Sequence, residues 1–156
     1  MSSDAATLFE PPRMSASRLA PAAYRAMVGL DNAIELDSAL RDLVSLRASI
    51  LNGCAYCVDM HTLDARARGE NEQRLYAVAA WHEAPFFSDR ERAALALTDA
   101  VTLVSDTHVP REVFEAAAVH FPEPELAQLI WAIVTINAWN RVAVATRMLA
   151  GEYQPG

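Results

Sequence analysis

The amino-acid sequence predicts an all-α fold, a single-domain bundle of about six to seven helices. Three observations carry this expectation. Apolar residues recur at three- and four-residue spacing along most of the chain. Helix-starting signals such as Pro21, Asp37 and the Ser88-Asp89-Arg90-Glu91 box stand just ahead of those runs. No stretch alternates apolar and polar residues as a half-buried strand does. With 156 residues, the chain is long enough to bury one core without metal or disulfide staples.

Residues 1–17 are rich in Ser, Ala and Pro and offer no periodic apolar face, so they read as an arm, flexible or laid as a strap on a partner subunit. The helical domain is expected over residues 18–152. Pro21 opens a first helix to about Ala33, with Tyr24, Met27, Val28 and Leu30 at helical spacing. Asp37 caps a second helix, in which Leu40, Leu43, Val44, Arg47 and Leu51 share a side. Asn52-Gly53 ends it, since this pair readily takes positive φ. A third, central helix starts near Cys54 and stops before Gly69. A fourth covers about Glu72 to Trp81, and the capping box at Ser88 starts a fifth that runs to about Val104. Pro110 and Pro124 lie in the first turns of a sixth helix, to His120, and of a long final helix, to about Leu149.

Composition narrows the function. Hydrophobic residues make up 53% of the chain, too many for a disordered protein. The net charge is -7, from twenty acids against thirteen basic residues, all of them arginine. A nucleic-acid partner is not expected, because phosphate binding needs a concentrated basic face. The longest apolar stretch, Leu126 to Ile136, is interrupted by Gln128 and too short to cross a bilayer, so no membrane partner is expected either. The N-terminus lacks the pattern of a secretory leader, which points to a cytoplasmic protein. In that compartment a CxxC pair signals redox chemistry or metal binding rather than a structural staple.

That pair is Cys54-Ala55-Tyr56-Cys57, and His61 follows one helical turn later. At about 100° per residue, Cys57 lies near 300° and His61 near 340° from Cys54, so all three share one arc. Helical residues three apart have Cα atoms roughly 5 to 5.5 Å apart, within the range for a disulfide. The pair can therefore cycle between dithiol and disulfide. A reactive cysteine must be a thiolate, and two influences favour that form at different sulfurs. The helix N-terminus acts on Cys54, while the imidazole of His61 acts on Cys57 and gives it a small lead. If the second and third helices fold back about Asn52, Asp42 comes opposite His61, and Asp42, Ser45 and Ser49 form a polar stripe at three-then-four spacing. An acid there orients an imidazole and joins a proton relay.

The blocks LRDLVSLRAS (residues 40–49) and NGCAYCVDMHT (52–62), with WHEAPFFSDRER (81–92), His108-Val109-Pro110 and Ile136 to Arg141, resemble the AhpD-like alkylhydroperoxidases of the carboxymuconolactone decarboxylase superfamily. The resemblance runs from about Pro21 to Gly151. It implies an all-helical thiol peroxidase in which Cys57 attacks a hydroperoxide, Cys54 resolves the sulfenic acid into a disulfide, and His61 relays the proton. It further implies an external dithiol reductant, no cofactor or metal, and a homo-oligomer, trimer or hexamer. The family's relay glutamate is replaced here by Asp42, one methylene shorter. Ile50 stands where relatives often have glutamine, and Tyr56 where better studied members have histidine.

Other readings compete. Two thiolates, an imidazole and Asp42 are also possible zinc ligands, which would make the protein a metal-binding or redox-sensing oligomer. A general thiol-disulfide oxidoreductase would use the same pair. Decarboxylation, which the superfamily name suggests, would leave the cysteines without a role. Tyr56 reads as packing, His82, His108 and His120 as surface, Trp131 and Trp139 as core or interface, and Asn137, Asn140 and Arg141 as a structural hydrogen-bond network.

Overall fold

The computed structural model describes residues 10–156, and among them the chain is helical without strands. In chain order the elements are α1 (Ala16–Leu19), α2 (Pro21–Asn32), α3 (Ser38–Leu51), α4 (Ala55–Ala67), α5 (Glu72–Ala77) with a 3-10 turn (Val78–Ala80), α6 (Asp89–Thr102), α7 (Val104–Thr107), α8 (Arg111–His120) and α9 (Glu123–Thr146). α1 and α7 are single four-residue turns, so seven of the nine α-helices among the described residues are longer elements, matching the predicted architecture.

The predicted caps are where the sequence places them. Asp37 accepts the Leu40 N–H at 3.0 Å, and Ser88 and Glu91 form a reciprocal capping box. Three boundaries differ. The fourth helix, expected to reach Trp81, leaves α geometry after Ala77 and tightens into the 3-10 turn. The fifth helix ends at Thr102, where Leu103 leaves helical geometry and the Thr107 hydroxyl bonds to the Ala100 carbonyl at 2.6 Å. α9 stops three residues early, because Arg147 takes a left-handed conformation (φ 54°) and the Arg13 N–H caps the Thr146 carbonyl at 2.9 Å. Of the expected arm, residues 1–9 lie outside the described part; residues 10–15 run beside the end of α9, where Arg13 also reaches the Ala145 carbonyl.

α3 is the centre of the bundle. One side joins Leu40 and Val44 to Leu97 of α6, Phe121, and Leu129 and Ile133 of α9. The other joins Leu43 and Leu46 to Ala65 of α4, Leu75, Val78, Trp81 and Leu95. A helix enclosed in this way buries its polar residues too, namely Asp42, Ser45, Arg47 and Ser49, and each buried polar group must find a partner or a cavity. α9, at 24 residues, extends well beyond the apolar stretch Leu126 to Ile136 and, contrary to the expectation from that stretch, is long and apolar enough to cross a membrane, but half of its most apolar window is buried within the bundle. It serves as a core helix.

Candidate active site

The link between α3 and α4 sets the cysteines in place. Gly53 adopts φ +62°, a left-handed conformation in which a Cβ would be strained. The chain then turns so that Cys54 is the N-cap of α4, and its Sγ accepts the Cys57 N–H at 3.3 Å. Cys54 and Cys57 form a disulfide across Cα atoms 5.4 Å apart. Tyr56 and Ala143 pack on the pair, consistent with a packing role for the tyrosine.

α9 holds this turn from behind. Asn52 Nδ2 donates to Oδ1 of both Asn137 and Asn140 at 2.9 Å. Asn140 donates to Ser49 Oγ and Asn137 to Thr102 Oγ1, each at 3.0 Å, and Arg141 Nη1 donates to Asn137 Oδ1 at 2.9 Å. The structural network expected for Asn137, Asn140 and Arg141 is therefore present, and its purpose is local: it fixes the residue before the glycine that positions Cys54.

Beyond Cys57, α4 carries His61, Asp64 and Arg68 at successive spacings of four, three and four, which places all four on one face. Facing them from α3 are Asp42 and Ser45. These six residues line a single cavity of about 1050 Å³. Cys57 is part of its wall and Cys54 is not. Part of the lining is apolar and aromatic: Tyr24 of α2 meets Trp139 of α9 edge-to-face at 5.5 Å, and Val28 and Ile136 also line the cavity.

Asp42 and His61 thus share a cavity, but no hydrogen bond joins them. Asp42 Oδ1 accepts from Arg68 Nη2 at 3.1 Å, and the buried Nε2 of His61 has no hydrogen-bond partner among the described residues. Burial raises the Asp42 carboxyl from 3.8 to about 6, against the opposing pull of Arg68. Burial lowers His61 from 6.5 to about 4, although Asp64 and Asp31 favour its charged form. The cavity has therefore inverted the ordinary order: the carboxyl holds a proton more tightly than the imidazole.

Arg68, Asp64 and Tyr153 are among the cavity residues that sequence reasoning missed. Extending the Cys57–His61 face by two more turns would have reached Asp64 and Arg68. Nothing local marks Tyr153, whose hydroxyl donates to Asp64 Oδ1 at 2.8 Å from a C-terminal tail that also bonds Gly151 N to Asp59 Oδ2 at 2.8 Å. His82 stacks on Trp81 away from the cavity, and His108 and His120 also lie outside its lining. Among the described residues no three His, Cys, Asp or Glu side chains are grouped so as to hold a metal ion.

Known proteins resemble this chain in sequence and in fold. The family model "Carboxymuconolactone decarboxylase family" matches residues 21–100. The uncharacterized protein YdfG of Bacillus subtilis is 39% identical over 136 residues, covering 85% of this chain and 92% of that protein. A crystal structure from Agrobacterium tumefaciens, described as a protein of unknown function and putative antioxidant defence protein AhpD, superposes with a TM-score of 0.89 at 37% identity, covering 92% of this chain and all of that one. The debrominase Bmp8 shares the fold alone, with a TM-score of 0.76 at 24% identity over 85% of this chain and 73% of its own. The match over α2 to α6 and the AhpD-like fold around the CxxC pair show that this chain belongs to the carboxymuconolactone decarboxylase family, in its AhpD-like branch.

Proposed function

We propose that the protein is a thiol-dependent hydroperoxide reductase in which Cys57 attacks, Cys54 resolves, and His61 and Asp42 move the proton. The observation that carries this reading is the asymmetry of the pair: Cys57 lines the cavity with His61 and Asp42, while Cys54 lies behind it as the helix cap.

The proton balance favours a relay over a single base. Burial holds the His61 imidazole neutral and raises the Asp42 carboxyl, so of the two groups Asp42 keeps a proton more readily. His61 is thus suited to conduct the proton and Asp42 to store it. The Cys57 thiolate attacks the distal oxygen of the hydroperoxide, the O–O bond breaks, and the alkoxide leaves. Asp42 returns the proton through His61, releasing the alcohol. The Cys54 thiol then attacks the sulfenic sulfur of Cys57, water departs, and the disulfide forms. One thiolate of an external dithiol then attacks Cys57 from the cavity and displaces Cys54, whose departing thiolate is stabilised by the Cys57 N–H, and the second external thiol attacks the external sulfur of that mixed disulfide, freeing Cys57 and leaving the reductant as its disulfide.

A general oxidoreductase for protein disulfides is less well supported, since the two cysteines are only 1% and 2% exposed and a bulky disulfide needs open access. Self-association is supported by the exposed Trp131 and Val134 on α9, and light scattering tests it.

The deciding experiment adds cumene hydroperoxide to the pre-reduced protein and titrates thiols. The wild type should lose two thiols per peroxide consumed. Cys54→Ser should stop at a sulfenic acid on Cys57 that dimedone traps, and Cys57→Ser should consume none. Undiminished consumption by Cys57→Ser overturns the assignment.

A further inference from the structure

Resting on the peroxidase reading, we infer that Met60 is a modification site: a hydroperoxide held in the cavity oxidises its thioether to the sulfoxide once Cys57 is locked in the disulfide. Met60 follows Cys57 by three residues on α4, so their side chains are neighbours on the helix surface. Both line the cavity, and Met14 and Met148 belong to its wall as well. Met27, the remaining methionine among the described residues, does not. Met14 and Met148 are 57% and 41% exposed, so peroxide in solution reaches them whatever the cavity does. Met60 and Met27 are both half-buried on helices, and what separates them is the cavity beside Met60. A peroxide dissolved in water meets the two alike, while one residing next to Cys57 meets Met60 alone.

In the reduced protein the Cys57 thiolate is the stronger nucleophile and takes the peroxide first. In the disulfide neither cysteine has a thiol to offer, and Met60 is left as a reducing sulfur in the same wall. Its lone pair attacks the distal oxygen of the hydroperoxide, an S–O bond forms and the O–O bond breaks. The sulfur is oxidised by two electrons and the peroxide is reduced by two, while the proton of the distal hydroxyl passes to the departing alkoxide, which leaves as the alcohol. No reductant takes part, so the step proceeds when the external dithiol has run out. The product is a polar, chiral sulfoxide where an apolar thioether stood, about one turn from the attacking sulfur. The C-terminal tail is tied to the same turn, since Gly151 N donates to Asp59 Oδ2 at 2.8 Å, one residue before Met60. Oxidation at Met60 therefore disturbs the wall that presents Cys57, and turnover slows.

The test treats the disulfide form with cumene hydroperoxide and follows sulfoxide formation by mass. Cleavage after arginine puts Met60 in residues 48–66 and Met27 in residues 26–41, so each is read on its own peptide. Met60 should oxidise about 10-fold faster than Met27 in the folded protein, and at the same rate as Met27 in concentrated urea with the disulfide intact. Dithiothreitol then reduces the disulfide and leaves the sulfoxide, and kcat/KM for peroxide should be about 3-fold or more below that of untreated protein. Methionine sulfoxide reductases should restore it. Met60→Leu, a volume-conserving change that leaves Met14 and Met148 in place, should keep its activity through the same treatment. Equal rates for Met60 and Met27 in the folded protein, or a Met60→Leu variant that loses as much activity as the wild type, overturns the inference. Thiol titration of the reduced protein separates this from the peroxidase reading. If peroxide takes no thiols and Met60 still oxidises ahead of Met27, the peroxidase reading fails and the modification site stands. If thiols are consumed and Met60 oxidises no faster than Met27, the site fails and the peroxidase stands.

Discussion

Arg68 closes α4 and reaches back across the helical hairpin to donate to Asp42 at 3.1 Å, so the acid of the proposed relay is bound to a guanidinium and not to the His61 imidazole. The ion pair moderates what burial does. Burial alone would push the Asp42 carboxyl further upward, and Arg68 is the largest opposing influence, ahead of Arg41, with Asp64 and Glu70 adding to the rise. Asp42 accepts a proton only when ionised, so kcat/KM for peroxide should climb with pH through about 6. Asp42→Asn should remove that limb. Arg68→Met should move it to higher pH, by up to about one unit given the exposure of the arginine. A pH–rate series from 5 to 8 checks both, and an unmoved limb in Arg68→Met would show that the guanidinium does not tune the acid.

The inverted proton order makes a second prediction, on stability. Asp42 titrates at about 6 folded against 3.8 unfolded, so the folded state is favoured while the carboxyl stays protonated. That advantage is complete below about 4 and is lost as pH rises through 6. His61 has the opposite sign: with a folded value of about 4 against 6.5, its contribution is present above 6.5 and is lost as pH falls toward 4. Asp42→Asn, which keeps the shape and removes the charge, should therefore be more stable than the wild type by about 1 to 3 kcal/mol at pH 8 and little different at pH 4. Urea unfolding at the two pH values measures this, and a variant less stable at pH 8 would mean that pairing with Arg68 outweighs desolvation.

Much of this was legible in the sequence because it depends on local spacing. The caps at Asp37 and Ser88, the turn at Asn52-Gly53 and the shared face of Cys57 and His61 follow from backbone geometry over a few residues, whereas Cys54 stands before α4 as its extended N-cap and so leaves the helical arc predicted for it. The hairpin argument also brought Asp42 to the cavity that His61 lines. What it did not supply was the partner, because α3 and α4 present several polar groups to one another and spacing does not say which pair will bond. Tyr153 was out of reach for a different reason: 89 residues separate it from Asp64, and no periodicity links an irregular tail to a helix.

The network behind the cysteines predicts a structural cost without a change in chemistry. Asn140 is fully buried and carries two side-chain bonds, to Ser49 Oγ and from Asn52 Nδ2. Asn140→Ala removes both and leaves a void, so it should destabilise the protein by about 2 to 3 kcal/mol. Asn52→Ala keeps Asn140 bonded to Ser49, lies at a partly exposed turn and should cost about 1 kcal/mol. Chemical denaturation of the two variants gives the comparison, and an Asn52 variant as damaged as the Asn140 variant would place the weight of the network at the turn.

A last prediction concerns the other face of α3, where Arg47 is 7% exposed and binds both oxygens of Asp99, Nε to Oδ1 at 2.6 Å and Nη2 to Oδ2 at 3.0 Å. The same guanidinium donates to the Ala79 carbonyl at 2.9 Å, and Asp99 also accepts from Trp81 Nε1 at 3.2 Å, so the pair ties α3 and α6 to the 3-10 turn. Removing one member strands a charge in the core. Asp99→Ala should then cost about 3 to 5 kcal/mol. Replacing both members by apolar side chains, as in Arg47→Met with Asp99→Leu, removes the stranded charge together with its partner, and the double variant should be more stable than the single one. If denaturant midpoints rank the double variant below Asp99→Ala, the backbone bonds of Arg47 matter more than its pairing with Asp99, and the ion pair is secondary in holding the turn to α3.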